Sequence, residues 1–298
     1  MSTLKTMAKR QVAGYYRQKV GDVIVTAIYD GYINLSPSLF HGLCEEDIKA
    51  IIDRHYPMQT QEGIATAVTT YLVDNGTDII LINTGGGNNS GQTMGIILEN
   101  LSLAGYSCEA ITAVLLTHMH FDHICGLTNK KGVETFPNAT VYVSEVESNF
   151  WLNPENAKTA PEENRVFFEM AHNAILPYKN KGKLRTFNSN TQILDNIQAM
   201  ATPGHTPGHT SFLINSGNDK MLLWGDIVHS HALQFIHPEI TNDFDSDQVQ
   251  AAITRGIIFQ KVAEENLLIG GDHLPFPGFG YLKKAEKGYS WLPVEYIL

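Results

Sequence analysis

The sequence is poor in cysteine, in positive charge and in long apolar runs. Its three cysteines, Cys44, Cys108 and Cys125, form no Cys-x-x-Cys pair, so free thiols are expected rather than a disulfide framework. The formal net charge of −10 argues against a nucleic-acid partner, which requires a basic face. No run reaches the ~18 apolar residues of a membrane span, and the basic N-terminus lacks the apolar stretch of a secretory signal. The composition therefore predicts a cytoplasmic protein with no membrane partner.

Strand-like and helix-like segments alternate along the chain, and no linker divides them. Apolar runs rich in Val, Ile and Thr predict strands at 22–35, 66–74, 78–87, 111–118, 139–144, 197–205, 210–216, 220–226 and 266–273. Apolar residues at helical spacing predict helices at 91–106, 146–152, 163–177 and 246–265. Asp245 is expected to cap the last of these helices. The order of elements favours an α/β fold in which two sheets pack face to face with helices outside.

Four side chains that bind metals crowd into the segment "THMHFDH", residues 117–123, directly behind an apolar run. His118 and His120 are two residues apart, so in an extended segment both rings point the same way and can reach one ion. Asp122 and His123 are adjacent and diverge, so they can serve a second ion close by. Chance seldom produces His-x-His-x-Asp-His in a protein with 12 histidines. The alternative is a polar loop of hydrogen-bonded histidines.

Three further segments repeat the pattern of a strand that ends in metal-binding side chains. They are "TPGHTPGHT" with His205 and His209, "LLWGD" with Asp226, and "LLIGGDH" with Asp272 and His273. Each contains glycine, which lets the backbone approach a bound ion closely. Ligands at the ends of several strands are typical of a preorganised site on a rigid scaffold.

Together these motifs resemble the metallo-β-lactamase-fold superfamily. Longer stretches, such as "WGDIVHSHALQF" and "DHLPFPGFG", are most similar to the branch that contains methyl parathion hydrolase and the N-acyl-homoserine lactone lactonases. The resemblance implies a four-layer αββα sandwich with mixed sheets, helices outside and two metal ions at one edge. It also implies a single hydrolase domain over residues 1–298, with 1–20 as an N-terminal extension and 275–298 as a C-terminal tail.

Carried over position by position, the resemblance implies two zinc ions per chain. One would bind His118, His120 and His205, the other Asp122, His123 and His273, with Asp226 bridging the pair. Other divalent transition metals could replace zinc. The second histidine of the glycine-rich motif, His209, is expected to be structural.

Asn83 stands where many relatives have an aspartate. It is expected to orient a ligand histidine through its amide without adding charge, or else to serve only as a turn residue.

In this branch a hydroxide between the two metals attacks the substrate, and Asp122 and Asp226 are the implied catalytic carboxylates. Phe150, Trp151, Phe167, Phe168 and His229 are expected to line a pocket, although aromatic residues at helical spacing also fit a core. The preferred substrate is a small molecule with an apolar tail, an N-acyl-homoserine lactone. The alternatives are an organophosphate triester hydrolase, a mononuclear iron persulfide dioxygenase and a binding module without turnover. Relatives in this branch often pair as dimers, so a homodimer is expected here as well.

Overall fold

Strands and helices alternate along residues 11–55, 63–87, 91, 93–188 and 190–296, the part of the chain that the computed structural model describes. The strands of the first half are β1 (Tyr15–Val20), β2 (Val23–Leu35), β3 (Phe40–His41), β4 (Ile64–Asp74), β5 (Ile79–Ile82), β6 (Ala113–Leu115), β7 (Thr140–Ser144) and β8 (Leu184–Phe187). Those of the second half are β9 (Gln192–Leu194), β10 (Ile197–Ala201), β11 (Thr210–Ser216), β12 (Asp219–Leu223), β13 (Thr241–Asn242), β14 (Leu268–Gly270), β15 (Phe279–Lys284) and β16 (Tyr289–Pro293). The helices are α1 (Glu45–His55), α2 (Ile97–Leu103), α3 (Phe121–Ile124), α4 (Glu145–Trp151), α5 (Pro154–Thr159), α6 (Arg165–Asn180), α7 (His231–Gln234) and α8 (Gln248–Glu264).

The strands form two mixed seven-stranded sheets and one short pair. The first sheet has the order β1-β2-β4-β5-β6-β7-β8 and is parallel from β5 onward. The second has the order β16-β15-β14-β12-β11-β10-β9, in which β12 and β14 are parallel. A two-stranded ladder joins β3 to β13. None of the helices in the described residues is both long and apolar enough to cross a membrane.

The alternation of side chains along the strands produces four layers. In β4, Tyr71 and Val73 pack against the second sheet, whereas Leu72 points to the opposite face and packs under the helices of the first half. In β12, Leu222 faces helix α8 and packs with Phe259, while its neighbours face the first sheet. The predicted α/β sandwich with helices outside is therefore confirmed.

Both chain ends contribute more than the sequence suggested. Residues 1–10 and 297–298 lie outside the described part, but residues 15–20 of the expected N-terminal extension form β1, paired with β2. Likewise, β15 and β16 lie within the expected tail at 275–298 and extend the second sheet, with β16 as its edge strand. The period-2 signal of these strands is weak because several of their residues remain exposed.

The expected cap of the helix predicted at 246–265 is also corrected. Helix α8 begins at Gln248, and the side chain of Asp247, not that of Asp245, accepts a hydrogen bond from Gln250 N. Asp245 lies two residues upstream, and its carboxylate contacts His205 instead.

Candidate metal centre

The candidate ligands stand at the carboxyl ends of strands from both sheets. His118 follows β6, Asp226 follows β12, and His273 follows β14. The parallel pairs β5 with β6 and β12 with β14 bring these strand ends to one edge of the sandwich. Helix α3 begins directly after His120, so Asp122 and His123 lie in its single turn and face the same edge. The pairing of the strands thus places ligands from distant segments within reach of each other.

The structure brings all seven predicted ligands together in two overlapping groups. In one group, the ligand atoms of His118, His120, His205 and Asp226 lie within 4.8 Å of one another. In the other group, the ligand atoms of Asp122, His123 and His273 lie within the same distance of one another. Asp226 also reaches the second group, since its Oδ2 lies 3.0 Å from His273 Nε2 and 3.3 Å from His123 Nε2.

Several of these buried ligand atoms have no hydrogen-bond partner in the protein. They are His118 Nε2, His123 Nε2 and Asp226 Oδ1. Leaving buried polar atoms without partners is costly, and one metal ion in each of the two groups would give these atoms partners. Neutral imidazole and carboxylate are the donors that zinc and related divalent transition metals accept. The residues present therefore fit a dinuclear metal site.

Two opposing effects set the pKa values of the ligand histidines: burial lowers them, and neighbouring carboxylates raise them. Burial and the neighbouring His123 hold the pKa of His118 well below its ordinary value. Burial acts in the same direction on His205, but Asp226 and Asp245 outweigh it and raise its pKa to about 9. For His273 as well, Asp226 and Asp122 overcome burial and raise the pKa to about 9. These carboxylates therefore attract positive charge, which a bound metal ion would supply in place of protons on the rings.

The outer nitrogen of each of three ligand histidines is oriented by a neighbour. Asp245 Oδ1 lies 2.9 Å from His205 Nδ1, and the backbone oxygen of Ala67 lies 2.9 Å from His273 Nδ1. Thr117 Oγ1 lies 3.0 Å from His118 Nδ1. Such contacts fix which nitrogen faces the metal. The role of Asp245 could not be predicted from the sequence, because Asp245 follows His205 by 40 residues.

The sequence suggested that the amide of Asn83 orients a ligand histidine directly. In the structure its side chain bonds to Asp272 and Thr117 instead. Its Nδ2 donates to Asp272 Oδ2 at 2.6 Å, and its Oδ1 accepts from Thr117 N at 3.0 Å. Asp272 Oδ2 in turn lies 3.3 Å from His123 Nδ1, so a carboxylate does stand beside a ligand ring, supplied by the residue before His273. With φ of 65°, Asn83 also occupies a left-handed turn position that asparagine tolerates well.

His209 is held away from the metal-binding groups by its own hydrogen bonds. Its Nε2 accepts from Asp226 N at 3.1 Å, and its Nδ1 lies 3.1 Å from the backbone oxygen of Thr202. Burial and the neighbouring His205 lower its pKa to about 3, which keeps the ring neutral. The ring thus supports the loop that carries Asp226.

A cavity of about 620 Å³ opens onto the metal-binding groups. All five side chains predicted to form a pocket line it: Phe150, Trp151, Phe167, Phe168 and His229. Ile33, Leu35 and Phe244 add apolar surface from the opposite wall. A second cavity of about 870 Å³ touches only His273 among the candidate ligands, so the smaller one is the entrance to the centre.

His229 presents a hydrogen-bond donor to this cavity. Asn242 Oδ1 accepts from Phe244 N at 2.9 Å, which turns its Nδ2 toward His229 Nδ1 at 3.2 Å. An amide nitrogen can only donate, so the imidazole proton stands on Nε2, 3.3 Å from Asp226 Oδ2. Burial lowers the pKa of His229 to about 4, and the ring is therefore neutral in this form.

Comparison with known proteins gives consistent matches. The sequence profile of the metallo-beta-lactamase superfamily matches residues 63–292. An N-acyl homoserine lactonase of a Bacillus species is 26% identical over 253 residues, which cover 81% of this chain and 85% of that protein. The crystal structure of the hydrolase AbOPH, from the beta lactamase superfamily, is 38% identical with a TM-score of 0.91, covering 97% of this chain and 100% of that one. AidC, a dizinc quorum-quenching lactonase solved with its product, is 29% identical with a TM-score of 0.87 and the same coverage.

Proposed function

The chain belongs to the metallo-beta-lactamase superfamily, and we propose that it hydrolyses N-acyl homoserine lactones with two zinc ions in this centre. The observation that carries the proposal is the juxtaposition of two metal-binding groups with an aromatic-lined cavity. AidC, a dizinc lactonase, matches 97% of the chain at 29% identity, which supports the choice of metal and of substrate class. The presence of a complete second group, with Asp122, His123 and His273, favours a dinuclear hydrolase over a mononuclear iron enzyme.

His118, His120 and His205 would hold one zinc, Asp122, His123 and His273 the other, and Asp226 would contact both. When bound, the metals would supply Lewis acidity toward the lactone carbonyl and lower the pKa of water for attack. The chain's own residues then have three tasks: to orient the lactone, to hold its acyl chain and to move one proton.

The cavity walls suit the two ends of an acylated lactone. Phe150, Trp151 and Phe168 pack with ring centroids 4.7 to 5.6 Å apart and offer a continuous apolar surface to the acyl chain. The Nε2–H of His229, which lies beside Asp226 Oδ2, can also donate to an oxygen of a lactone bound at this polar end.

Hydrolysis adds the oxygen of water to the carbonyl carbon and breaks the ring C–O bond. Asp226 and Asp122 are the carboxylates at the polar end of the cavity that can accept the proton released by water and return it to the departing alkoxide. The product is then the open-chain N-acyl homoserine.

A hydrolysis panel on the zinc-loaded protein tests the proposal. It contains homoserine lactones with acyl chains of several lengths, an aryl ester, an aryl phosphotriester, a cephalosporin and a glutathione thioester. We expect the highest kcat/KM for the lactones. A preference for the phosphotriester would replace this function by organophosphate hydrolysis, and turnover of none of the lactones would refute it.

The substitution Phe167→Ala is expected to reduce selectivity for long acyl chains. Phe167 lines the cavity and stacks on Phe121, with ring centroids 6.1 Å apart. Loss of its contact with about two methylenes costs ~1.4 kcal/mol, so the kcat/KM ratio of long over short chains should fall about tenfold. Val166→Ala, an exposed neighbour on the same helix, is the control and should leave the ratio unchanged. Equal losses for all chain lengths would remove Phe167 from the acyl pocket.

Cytoplasmic location and pairing as a homodimer stay predictions from the sequence. Gel filtration with light scattering of the purified protein would test the pairing.

A further inference from the structure

A buried carboxylate next to the metal centre has no part in the chemistry described so far. Glu147, in helix α4, has no exposed surface, and its four hydrogen-bond donors are all uncharged. Burial raises the pKa of Glu147, and the donors lower it. Burying a carboxylate in this way is costly, so its position needs a reason.

The four donors come from three segments that surround the centre. Oε1 accepts from Met119 N at 2.9 Å and from Trp151 Nε1 at 2.7 Å. Oε2 accepts from Thr206 Oγ1 at 2.8 Å and from Gly208 N at 2.9 Å. Met119 lies between His118 and His120, and Thr206 follows His205. One carboxylate therefore links both loops that carry the histidines of the first metal-binding group and the pocket wall at Trp151.

The packing around Glu147 leaves the 204–209 loop little freedom. A Cβ on Gly208 would lie 2.2 Å from Glu147 N, so only glycine allows the loop to approach helix α4 this closely. Ser144 Oγ completes the link, since it accepts from Glu147 N at 3.1 Å and donates to Gly208 O at 2.8 Å.

The second metal-binding group is oriented by other residues. Asp272 lies beside His123, and the backbone oxygen of Ala67 lies beside His273 Nδ1. The hydrogen bonds of Glu147 go to Met119, Trp151, Thr206 and Gly208, and none of these residues flanks His273. Glu147 should thus affect metal binding at the first group and not at the second.

We propose that Glu147 is the positioning residue of the first metal site, holding His118, His120 and His205 at the spacing that one ion requires. This inference rests on the proposed dinuclear function. A carboxamide cannot replace the carboxylate, because it has a single acceptor oxygen. With that oxygen toward Met119 and Trp151, the amide group would face Gly208 N–H, donor against donor, and the 204–209 loop would move.

Zinc affinity measured by competition with a chelating dye tests the proposal, in two backgrounds that isolate the sites. In His273→Ala protein, which keeps the first group intact, Glu147→Gln should weaken zinc binding about 10- to 100-fold. In His120→Ala protein, which keeps the second group intact, the same change should leave the affinity within about twofold. Glu145→Gln, an exposed glutamate of the same helix, is the matched control and should change neither affinity.

Unchanged zinc affinity of Glu147→Gln in the His273→Ala background would overturn the proposal, and so would equal weakening of both sites. Should Glu147→Gln fail to fold, Thr206→Val removes one donor and keeps the carboxylate. A loss at the first site alone would support the proposal, whereas no loss there would overturn it. If the wild-type protein binds fewer than two zinc ions, the proposed function itself fails, which is a distinct result.

Discussion

Alanine in place of Asp226 is expected to abolish lactone hydrolysis while the chain stays folded. Asp226 Oδ2 stands at the middle of the centre, 3.0 Å from His273 Nε2, 3.4 Å from His205 Nε2 and 3.6 Å from His118 Nε2. Burial disfavours its charge, but the surrounding histidines, His123 foremost, hold the pKa of Asp226 well below its usual range. In the resting centre it is thus an anion, and it is shared by both metal-binding groups.

The loss should exceed about 10³-fold in kcat/KM, because the metals would bind poorly or not at all without Asp226. That loss corresponds to ~4 kcal/mol of transition-state stabilisation by the metals. The measurement pairs lactone kinetics with metal content by mass spectrometry and folding by circular dichroism. Asp195→Ala, at an exposed aspartate, is the control and should keep two metals and full activity. Undiminished turnover by the Asp226→Ala protein would refute the assignment of this centre as the active site.

Arg255→Ala is expected to lower the free energy of unfolding by about 3–5 kcal/mol. Arg255 is almost completely buried in helix α8, and its guanidinium donates to three backbone oxygens: Ile227 O at 2.7 Å, Pro238 O at 2.8 Å and Ile240 O at 2.7 Å. Burial lowers the pKa of Arg255 to about 10, so the group stays charged at neutral pH. Its removal would leave three buried acceptors and the carboxylate of Asp245, 3.8 Å away, without their cation.

Urea denaturation of both proteins measures the change in unfolding free energy. Lys261→Ala serves as the control, because Lys261 lies on the same helix and forms a partly exposed pair with Glu265. That pair should contribute less than about 0.5 kcal/mol. Equal stability of the Arg255→Ala and wild-type proteins would show that the segment from residue 226 to 245 holds its shape without the guanidinium. Because Asp245 contacts His205, zinc affinity should fall together with stability.

Much of the fold and the centre could be predicted from local patterns. Apolar runs rich in Val, Ile and Thr placed strands such as β4 and β11, and the helical spacing of apolar residues placed α6 and α8 within a few residues of their ends. The strands β1, β15 and β16 escaped prediction, since polar residues at exposed positions interrupt their apolar runs. The aromatic residues of the pocket could be named, but not distinguished from core: Phe168 and Trp151 belong to both.

The supporting carboxylates illustrate the limit of such predictions. Asp245 had been expected to cap a helix, yet its carboxylate lies beside His205; Glu147 had no predicted role, yet it links two loops. Each of these residues sits in an ordinary local context, at a helix start or within a helix. Nothing within a few residues of them indicates what they contact.

The sequence alone determined the chemistry of the ligands and the number of metals that they can hold. Histidine and aspartate bind metals wherever they stand, and spacings of one or two residues decide locally which way side chains point. Only the tertiary structure decided which carboxylate supports which ring: Glu147 contacts residues 28 and 61 positions away, and Asp245 contacts one 40 positions away. The physical reason is that such contacts depend on how the two sheets and helix α8 pack, and packing sums many weak apolar contacts spread over the whole chain.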